Sequence, residues 1–338
     1  MKKLLSLLLC IALTLPVLTG ALTSCFPAMD TREERYTAAI KSIEDGKYEE
    51  AYAAFRELGD YKDSAERLAR FIYFPTVMNY VLEDRTGVMT TTFGKYNMPS
   101  RMVAEGSVGV KDSGYEYDEK GNIVRQTMDY DGALSVYDYT YDKNNHMIKA
   151  EYSEGGVVVF VHEYTYDENE NRLSEVYSVE GTVQYEVTFA YDDKGNNVQM
   201  NYVSGGVTTT YNYTYDDNGN MTSERCEATD GYAYAIEYFY DADGKRTKEV
   251  FTQGDYSGVA IYTYDARGNC TFEECTYSDG TKGTMAREFD ENNNLIKEVY
   301  TGNDGTVKSV ESQYALFYIP IDIPADTMEY ILDMFVLI

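Results

Sequence analysis

Residues 213–220 read Tyr-Thr-Tyr-Asp-Asp-Asn-Gly-Asn, and this stretch returns along the chain with small changes. An aromatic residue followed by Asp recurs every 24 or 25 residues. We call these aromatic residues the anchors; they are Tyr117, Tyr141, Tyr166, Tyr191, Tyr215, Tyr240, Tyr264 and Phe289. Such regularity predicts a repeat architecture in which each copy is one supersecondary unit.

The residues after each anchor predict a tight turn. Two variable residues follow the Asp, and the next position is Gly or Asn in all copies except the one with Glu170. Because Gly and Asn tolerate positive φ, the pattern predicts a type I turn closed by a left-handed residue, the three-residue hairpin loop with a bulge. We expect strain or a local rearrangement at Glu170. The glycines at this position are Gly121, Gly195, Gly219, Gly244 and Gly268.

A second turn lies midway between successive anchors. It reads Asp-Gly, Glu-Gly or Gly-Gly in every copy except Gly254-Asp255, which looks irregular. These dipeptides predict two-residue hairpin loops, so each repeat supplies two antiparallel strands and the repeats together about sixteen. The predicted fold class is mainly β, a long, twisted and curled antiparallel β-meander of repeated hairpins after a small α-helical segment.

Alternation along the predicted strands places aromatic rings on one face of the sheet. A tyrosine-lined face offers rigid stacking planes with polar rims, which suits ligand binding; the alternative is that the rings serve only to cover a thin sheet. A recurrent acid shares this face, and we expect each carboxylate to accept a hydrogen bond from a neighbouring Tyr hydroxyl. The candidate ligand surface is Tyr139, Tyr164, Tyr213, Tyr238 and Tyr262. The recurrent acids are Glu175, Glu224, Glu249, Glu273 and Glu298.

The N-terminus has the form of a secretory signal. Lys2 and Lys3 precede an apolar stretch, and Leu22-Thr23-Ser24-Cys25 resembles the bacterial lipobox. The pattern predicts removal of residues 1–24, lipidation of Cys25, a tether over 25–32, and anchoring at the outer face of the cell membrane or the cell surface. The alternative is ordinary signal cleavage with Cys25 incidental.

Residues 33–72 differ from the repeats, and their periodicity predicts helices near 33–45, 48–58 and 62–72. The spacing of Gly46, Tyr48, Ala51 and Phe55 resembles the second helix of a tetratricopeptide repeat. The remaining predicted organisation places a degenerate capping repeat at 73–114, the eight repeats at 115–313 and a C-terminal cap at 314–338. Such caps would protect the open edges of a sheet.

The motif Tyr-Asp-x-x-Gly-Asn is complete at Tyr117–Asn122, Tyr191–Asn196, Tyr215–Asn220 and Tyr264–Asn269, and it is similar to that of the RHS/YD-repeat family. The resemblance covers about residues 115–300. It implies a long, curling β-sheet and an association with carbohydrate binding and cell–cell contact. The sequence shows neither the long shell nor the toxin of large family members, so the resemblance implies architecture and surface contact only.

The net charge and the motifs of the sequence argue against several classes of function. The net charge of −28 argues against a nucleic-acid partner. The sequence contains two histidines, His146 and His162, and no nucleophile elbow, phosphate loop or His-Glu zinc motif. Segments 216–220 and 241–244 slightly resemble calcium loops, but they lack a distant bidentate acid. We therefore predict a protein that is not an enzyme and that has no cofactor and no metal.

Taken together, these patterns predict a cell-envelope lipoprotein whose repeats bind a glycan or an envelope protein. One alternative is a structural or assembly role in which the helical segment contacts another envelope component. A hydrolase is the remaining alternative, although a repeated column of near-equivalent Glu residues suits a scaffold better than paired acid catalysis.

Overall fold

A computed structural model describes residues 31–82, 85–107 and 109–321 of the chain. The predicted signal peptide, Cys25 and residues 322–338 of the predicted C-terminal cap lie outside the described residues. The described residues divide into two compact units, one comprising residues 31–72 with Leu316–Tyr318, the other Tyr73–Ala315 with residues 319–321. Within the described part, no helix has the length and apolar character needed to cross a membrane.

The described residues of the first unit contain three α-helices, α1 (Thr31–Glu44), α2 (Tyr48–Leu58) and α3 (Ser64–Leu68). The first two agree with the predicted helices, whereas the third ends earlier because the chain enters a strand at Phe71. The helical spacing of Ala51, Phe55 and Leu58 puts them on one face of α2, where they are buried. Together with Ala39 of α1 they form the core of this unit.

Twenty strands follow, joined mostly by short hairpin loops. Neighbours along the chain pair in an antiparallel manner throughout. A single turn of 3-10 helix, Lys95–Asn97, lies between the second and third strands. The strands are β1 (Phe71–Val81), β2 (Thr86–Phe93), β3 (Pro99–Gly106), β4 (Gly109–Tyr117), β5 (Ile123–Tyr130), β6 (Ala133–Tyr141), β7 (Met147–Glu154), β8 (Val157–Tyr166), β9 (Arg172–Val179), β10 (Thr182–Tyr191), β11 (Asn197–Ser204), β12 (Val207–Tyr215), β13 (Met221–Ala228), β14 (Ala233–Tyr240), β15 (Arg246–Gln253), β16 (Tyr256–Tyr264), β17 (Cys270–Tyr277), β18 (Lys282–Phe289), β19 (Leu295–Gly302) and β20 (Val307–Tyr318).

The sheet is closed. Strand β1 pairs with β20 as well as with β2, and the Thr76 hydroxyl of β1 donates a hydrogen bond to the Gln313 carbonyl oxygen of β20 at 3.1 Å. The described strands therefore form a 20-stranded antiparallel β-barrel. The expectation of a mainly β, antiparallel hairpin fold is confirmed. The expectation of an open, curled meander with protective end caps is wrong, because the first and last strands satisfy each other's edges.

The closed sheet also shows that the fold implied by the resemblance to the RHS/YD-repeat family is wrong. A long curling sheet of the RHS/YD type leaves its terminal strands apart, whereas here they pair. The tetratricopeptide-like interpretation of residues 33–72 is wrong as well. Helix α3 has only five residues, and the chain then passes into β1 instead of starting a second helical repeat.

The Asp after each anchor organises its turn. One carboxylate oxygen of Asp216 accepts the backbone N–H groups of Asn218 at 2.9 Å and Asn220 at 2.8 Å, and the other accepts the Asn220 side-chain amide at 2.9 Å. The two backbone bonds recur in all eight repeats. Glu170 adopts the same turn at a φ of 70°, so it lies in the left-handed region where strain was expected.

The midway turns follow the prediction only in part. Two-residue loops form at Asp131-Gly132, Gly155-Gly156, Glu180-Gly181 and Gly205-Gly206 as expected. Gly254-Asp255 forms a two-residue loop as well, so the irregularity expected there is wrong. The turns around Asp230, Asp279 and Asp304 are four residues long instead. In each of them the Asp carboxylate accepts the N–H of the second residue after it, which stabilises the longer loop.

Each tyrosine anchor hydroxyl joins the two ends of one hairpin. Tyr215, the last residue of β12, donates to the carbonyl oxygen of Asn197, the first residue of β11, at 2.8 Å. All seven tyrosine anchors make the equivalent bond, at 2.7–3.0 Å. Each of these hairpins is therefore held by a side-chain bond to backbone in addition to the strand ladder.

Burial is uneven around the sheet. Most of the buried side chains of the second unit lie on β1–β5 and in the loop between β2 and β3, and they include Phe74, Met78, Met98 and Ile123; Cys226 on β13 is a buried exception. On β6–β19 most residues are only half-buried. The packed core therefore sits near one side of the closure, and the rest of the sheet is lined by tyrosine rings.

Candidate functional site

The face of the sheet that carries Tyr139, Tyr164, Tyr213, Tyr238 and Tyr262 is called the tyrosine face below. These five residues of the predicted ligand surface lie on alternate strands, and all are half-buried. Threonines between the anchors and these rings, such as Thr165 and Thr214, are exposed on the other face. Alternation along the strands therefore assigns the two faces as predicted.

The five rings mostly contact their own sheet. The Tyr139 hydroxyl donates to Gln126 at 3.1 Å, and the Arg246 guanidinium lies 4.5 Å from the centre of the Tyr238 ring. Burial raises the pKa of Tyr213 and of Tyr238 to about 12. Such contacts are those of a sheet covering itself, and ligand binding by these five rings stays a prediction.

The recurrent carboxylates are hydrogen-bonded in two different ways. Tyr185 donates to Glu175 at 2.9 Å, and Tyr262 donates to Glu249 at 3.1 Å. Glu224 likewise accepts from the Tyr234 hydroxyl, so the predicted Tyr–Glu bond is confirmed at these three acids. The hydrogen bond from His162 holds the pKa of Glu175 below its ordinary value, despite burial.

The last two acids depart from that pattern because of Arg287. This residue occupies the position that holds an aromatic ring in earlier repeats. Its guanidinium donates to Glu298 at 2.7 Å and to Glu273 at 3.5 Å. Burial is the largest influence on the pKa of Arg287 and lowers it. The hydrogen bond and charge of Glu298, together with the charges of Cys270 and Glu273, nevertheless leave that pKa above its ordinary value. A Tyr–Glu bond predicted at Glu273 and Glu298 is therefore replaced by a shared ion pair.

Two adjoining cavities open on the tyrosine face near these acids. The first, of about 310 Å³, is lined by Leu82, Met285, Glu298, Tyr300, Lys308, Ser309 and Val310. The second, of about 250 Å³, is lined by Glu273, Cys275, Tyr277, Thr281, Lys282, Gly283, Thr284, Met285, Tyr300 and Asn303. Met285 and Tyr300 belong to both linings, so they form the wall between the cavities.

Glycines on the strands set the position of the rings in the second cavity. A Cβ at Gly258 would lie 2.6 Å from the Tyr277 ring, and a Cβ at Gly283 would lie 3.3 Å from the Tyr300 ring. Each ring therefore lies over backbone where other positions carry a side chain. The Tyr277 ring also stacks on Tyr256, with centroids 5.7 Å apart and planes 11° apart. In the sequence, the signal for this arrangement is a glycine inside a predicted strand, at Gly258 and Gly283. The prediction from the repeats does not take these glycines into account.

The cavities hold hydrogen-bonding groups but no activated nucleophile among their lining residues. Burial raises the pKa of the Cys275 thiol to about 11, and the Glu273 carboxylate adds to that effect. The thiol therefore stays protonated at neutral pH, which makes it a weak nucleophile. Glu273 and Glu298 remain acceptors held by one guanidinium.

Metal-binding features are scarce. Over residues 31–82, 85–107 and 109–321, no group of three or more His, Cys, Asp or Glu residues is arranged to hold a metal ion. The Asp216 turn, which slightly resembles a calcium loop in sequence, uses both carboxylate oxygens to accept bonds from its own turn. Cys226, Cys270 and Cys275 are free thiols.

Comparison with known proteins gives structural likenesses but no match to a family model or a curated sequence. The chain is similar to a porin-like protein from Bacteroides uniformis ATCC 8492, with 10% sequence identity and a TM-score of 0.35, over 71% of this chain and 96% of that one. A TM-score this low supports neither a shared role nor a shared fold. The fold of the described residues is therefore a closed 20-stranded sheet and not the predicted YD-repeat fold.

Proposed function

We propose that the protein is a non-enzymatic binding protein whose ligand is a glycan of at least two sugar rings. The observation that carries the proposal is the pair of adjoining cavities that share Tyr300 and Met285. A sugar presents an apolar C–H face and a rim of hydroxyls. Aromatic rings with a polar edge complement both features, and two neighbouring cavities suit two linked rings.

The polar lining matches the needs of sugar hydroxyls. Glu298 and Lys308 line the first cavity, and Glu273, Thr281 and Asn303 line the second. Carboxylates and carbonyls accept hydroxyl protons, whereas the ammonium and amide groups donate to hydroxyl oxygens. The first volume, about 310 Å³, lies at the small end of the range for ligand sites, about 300 Å³ and above, and the second, about 250 Å³, lies just below that range, which fits one sugar unit in each.

The arrangement of the acids favours binding over hydrolysis. A glycosidase needs two carboxyl groups in different environments, one of them protonated at working pH. Here one guanidinium, that of Arg287, pairs with both Glu273 and Glu298, so the two carboxyl groups share one environment. We therefore propose no catalytic role for this pair.

The proposal places the protein at the cell envelope. The apolar stretch before Cys25 supports export, and the lipobox-like residues support a lipid on the Cys25 thiol. Loss of the thiol in Cys25→Ala is expected to release the protein from membranes into the soluble fraction. Membrane retention of that variant, measured by fractionation and immunoblotting, would refute the anchor without touching the glycan proposal.

A solute channel across a membrane is a second candidate, because the sheet is closed and has an even number of strands, 20. A barrel wall in contact with lipid must be apolar along its middle. Here one face carries Glu224 and Glu249, and the other carries Lys149, Glu163 and Lys248. We therefore expect no conductance when the purified protein is added to planar bilayers, and reproducible channel steps would favour the channel.

A glycan array probed with the purified mature chain tests the proposed function. We expect binding to a restricted set of oligosaccharides, with loss of at least about tenfold in affinity in Tyr300→Ala, measured by calorimetry. Tyr232→Ala removes an exposed tyrosine of a turn and serves as the matched control, with unchanged affinity expected. Circular dichroism checks that both variants fold. Binding that survives Tyr300→Ala in a folded variant would remove the cavities from the account.

A further inference from the structure

The exposed apolar side chains of the protein are not scattered evenly. Most lie beside the midway turns, at one end of the hairpins. Three consecutive hairpin ends carry strongly exposed aliphatic side chains on the face opposite the tyrosine face: Leu134 is 55% exposed, Val158 47% and Val183 58%. The segments Asp131–Leu134, Glu154–Val158 and Glu180–Val183 are called the turn row below. An isolated exposed valine needs no explanation, but a repeated series at one edge does.

Each member of the turn row also carries an exposed acid. Asp131, Glu154 and Glu180 precede Leu134, Val158 and Val183 by three or four residues, and none of the three segments contains Lys or Arg. An acid and an aliphatic side chain therefore alternate along the row. The hairpins β5–β6, β7–β8 and β9–β10 are consecutive in the sheet. With two strands per hairpin, the pattern repeats about every 10 Å.

We propose that the turn row docks an amphipathic, positively charged helix of a partner protein. Residues seven apart on an α-helix lie on the same face and are separated by about 10.5 Å along its axis. The matching helix carries an aliphatic residue, Leu or Val, at every seventh position and a basic residue, Lys or Arg, at another position of each heptad. Its aliphatic residues would contact those of the row, and its basic residues would pair with the acids. Such apolar anchors at heptad spacing are how helices bind grooves and edges of other proteins.

Charge excludes the other occupants. A second copy of this chain carries a net charge of −28 and would set acids against acids. The apolar segment 327–338 of this chain contains Glu329 and Asp333 and no base, so it fails for the same reason. An anionic lipid surface would be repelled by the three carboxylates as well. A cationic partner is the occupant that gains from both the carboxylates and the aliphatic groups.

A synthetic peptide of three heptads, with Leu and Lys at the matching positions, is the direct probe. Titration of the full mature chain by fluorescence anisotropy is expected to give binding that weakens with added salt, because exposed charges contribute. The double variant Val158→Ser with Val183→Ser is expected to lose at least about tenfold in affinity. Val307→Ser serves as the matched control, since Val307 is 51% exposed beside a turn outside the row, and its affinity is expected to be unchanged.

Three results would overturn the proposal. One is equal binding of a scrambled peptide with the same composition, which would mean charge attraction alone. Another is unchanged affinity in the folded double variant. The third is binding of the protein to phosphatidylcholine vesicles, or its self-association in sedimentation, if the same two substitutions abolish it. The row would then bind a lipid surface or a second copy of the chain.

Discussion

Each tyrosine anchor contributes a ring to the packing of the sheet and a hydroxyl that bonds the first residue of the hairpin that the anchor ends. The bond from Tyr215 to the Asn197 carbonyl joins the last residue of β12 to the first residue of β11, so it ties the two strands of that hairpin together. The Asp that follows an anchor closes its own turn through backbone and side-chain N–H groups. The Tyr-Asp pair is therefore explained at the level of single residues, as one contact within the hairpin that the anchor ends and one contact within the turn that follows.

Removing one anchor hydroxyl tests this account. Tyr215→Phe keeps the ring but leaves the Asn197 carbonyl without that donor, and we expect the free energy of unfolding to fall by about 0.5–1.5 kcal/mol. The reverse change at the anchor that lacks a hydroxyl, Phe289→Tyr, should stabilise the protein by a similar amount. Urea unfolding followed by circular dichroism measures both. Equal stability of wild type and Tyr215→Phe would show that the bond adds nothing.

The turn carboxylates predict a dependence of stability on acid. Hydrogen bonds from Asn171, Asn196, Asn220 and Asn269 hold the pKa of Asp167, Asp192, Asp216 and Asp265, respectively, below the ordinary value of 3.8. A carboxyl with a lowered pKa in the folded state stabilises it fully above the unfolded pKa, and this contribution is lost as pH falls through the folded pKa. We therefore expect the urea midpoint to drop below about pH 4.

The matched variant for this effect is Asp216→Asn, which keeps the size of the side chain but not its charge. Its urea midpoint should fall less between about pH 4 and about pH 2 than that of the wild type, because one titrating group is gone. The same acid dependence in both proteins would assign the loss of stability to other groups.

At the scale of the hairpin, one turn runs against the conformational preference of its residue. Glu170 closes its turn at a φ of 70°, where the other copies use Gly or Asn. Glu170→Gly is expected to raise the free energy of unfolding by about 1 kcal/mol, because a left-handed L-residue is strained. Gly195→Glu is the mirror test. Gly195 has a φ of 84°, and no atom lies within 4 Å of the place that a Cβ would take, so this variant should lose a similar amount through backbone strain alone.

The hairpins were predictable because their chemistry is local. An Asp, two variable residues and a Gly or Asn specify a turn over five residues, and the structure has that turn in every repeat. The four-residue loops at Asp230, Asp279 and Asp304 escaped prediction, because Asp-Gly fits a two-residue loop and a longer one equally well. The sequence predicts the bulge beside each turn. It does not predict that the bulge turns Arg172 and Arg246 toward the tyrosine face, where their guanidinium groups lie over aromatic rings.

At the scale of the whole sheet, closure depends on residues far apart in the sequence. Thr76 and Gln313 meet although 237 positions separate them, and no repeat pattern states whether the terminal strands pair. The paired cavities were also beyond sequence reasoning. They depend on Gly258 and Gly283 lying beneath Tyr277 and Tyr300, a relation set by strand register and not by the repeat period.

The measurement that tests the closed sheet most directly is a disulfide between its first and last strands. In the double variant Thr76→Cys with Gln313→Cys, mild oxidation of the folded protein is expected to join the two thiols, because paired strands bring residues within the span of about 7 Å that a disulfide allows. Peptide mapping by mass spectrometry identifies the bond and separates it from native Cys226, Cys270 and Cys275. The control pair, Thr76→Cys with Thr210→Cys on β12, should stay reduced. A folded protein in which residues 76 and 313 do not cross-link would contradict the closed barrel.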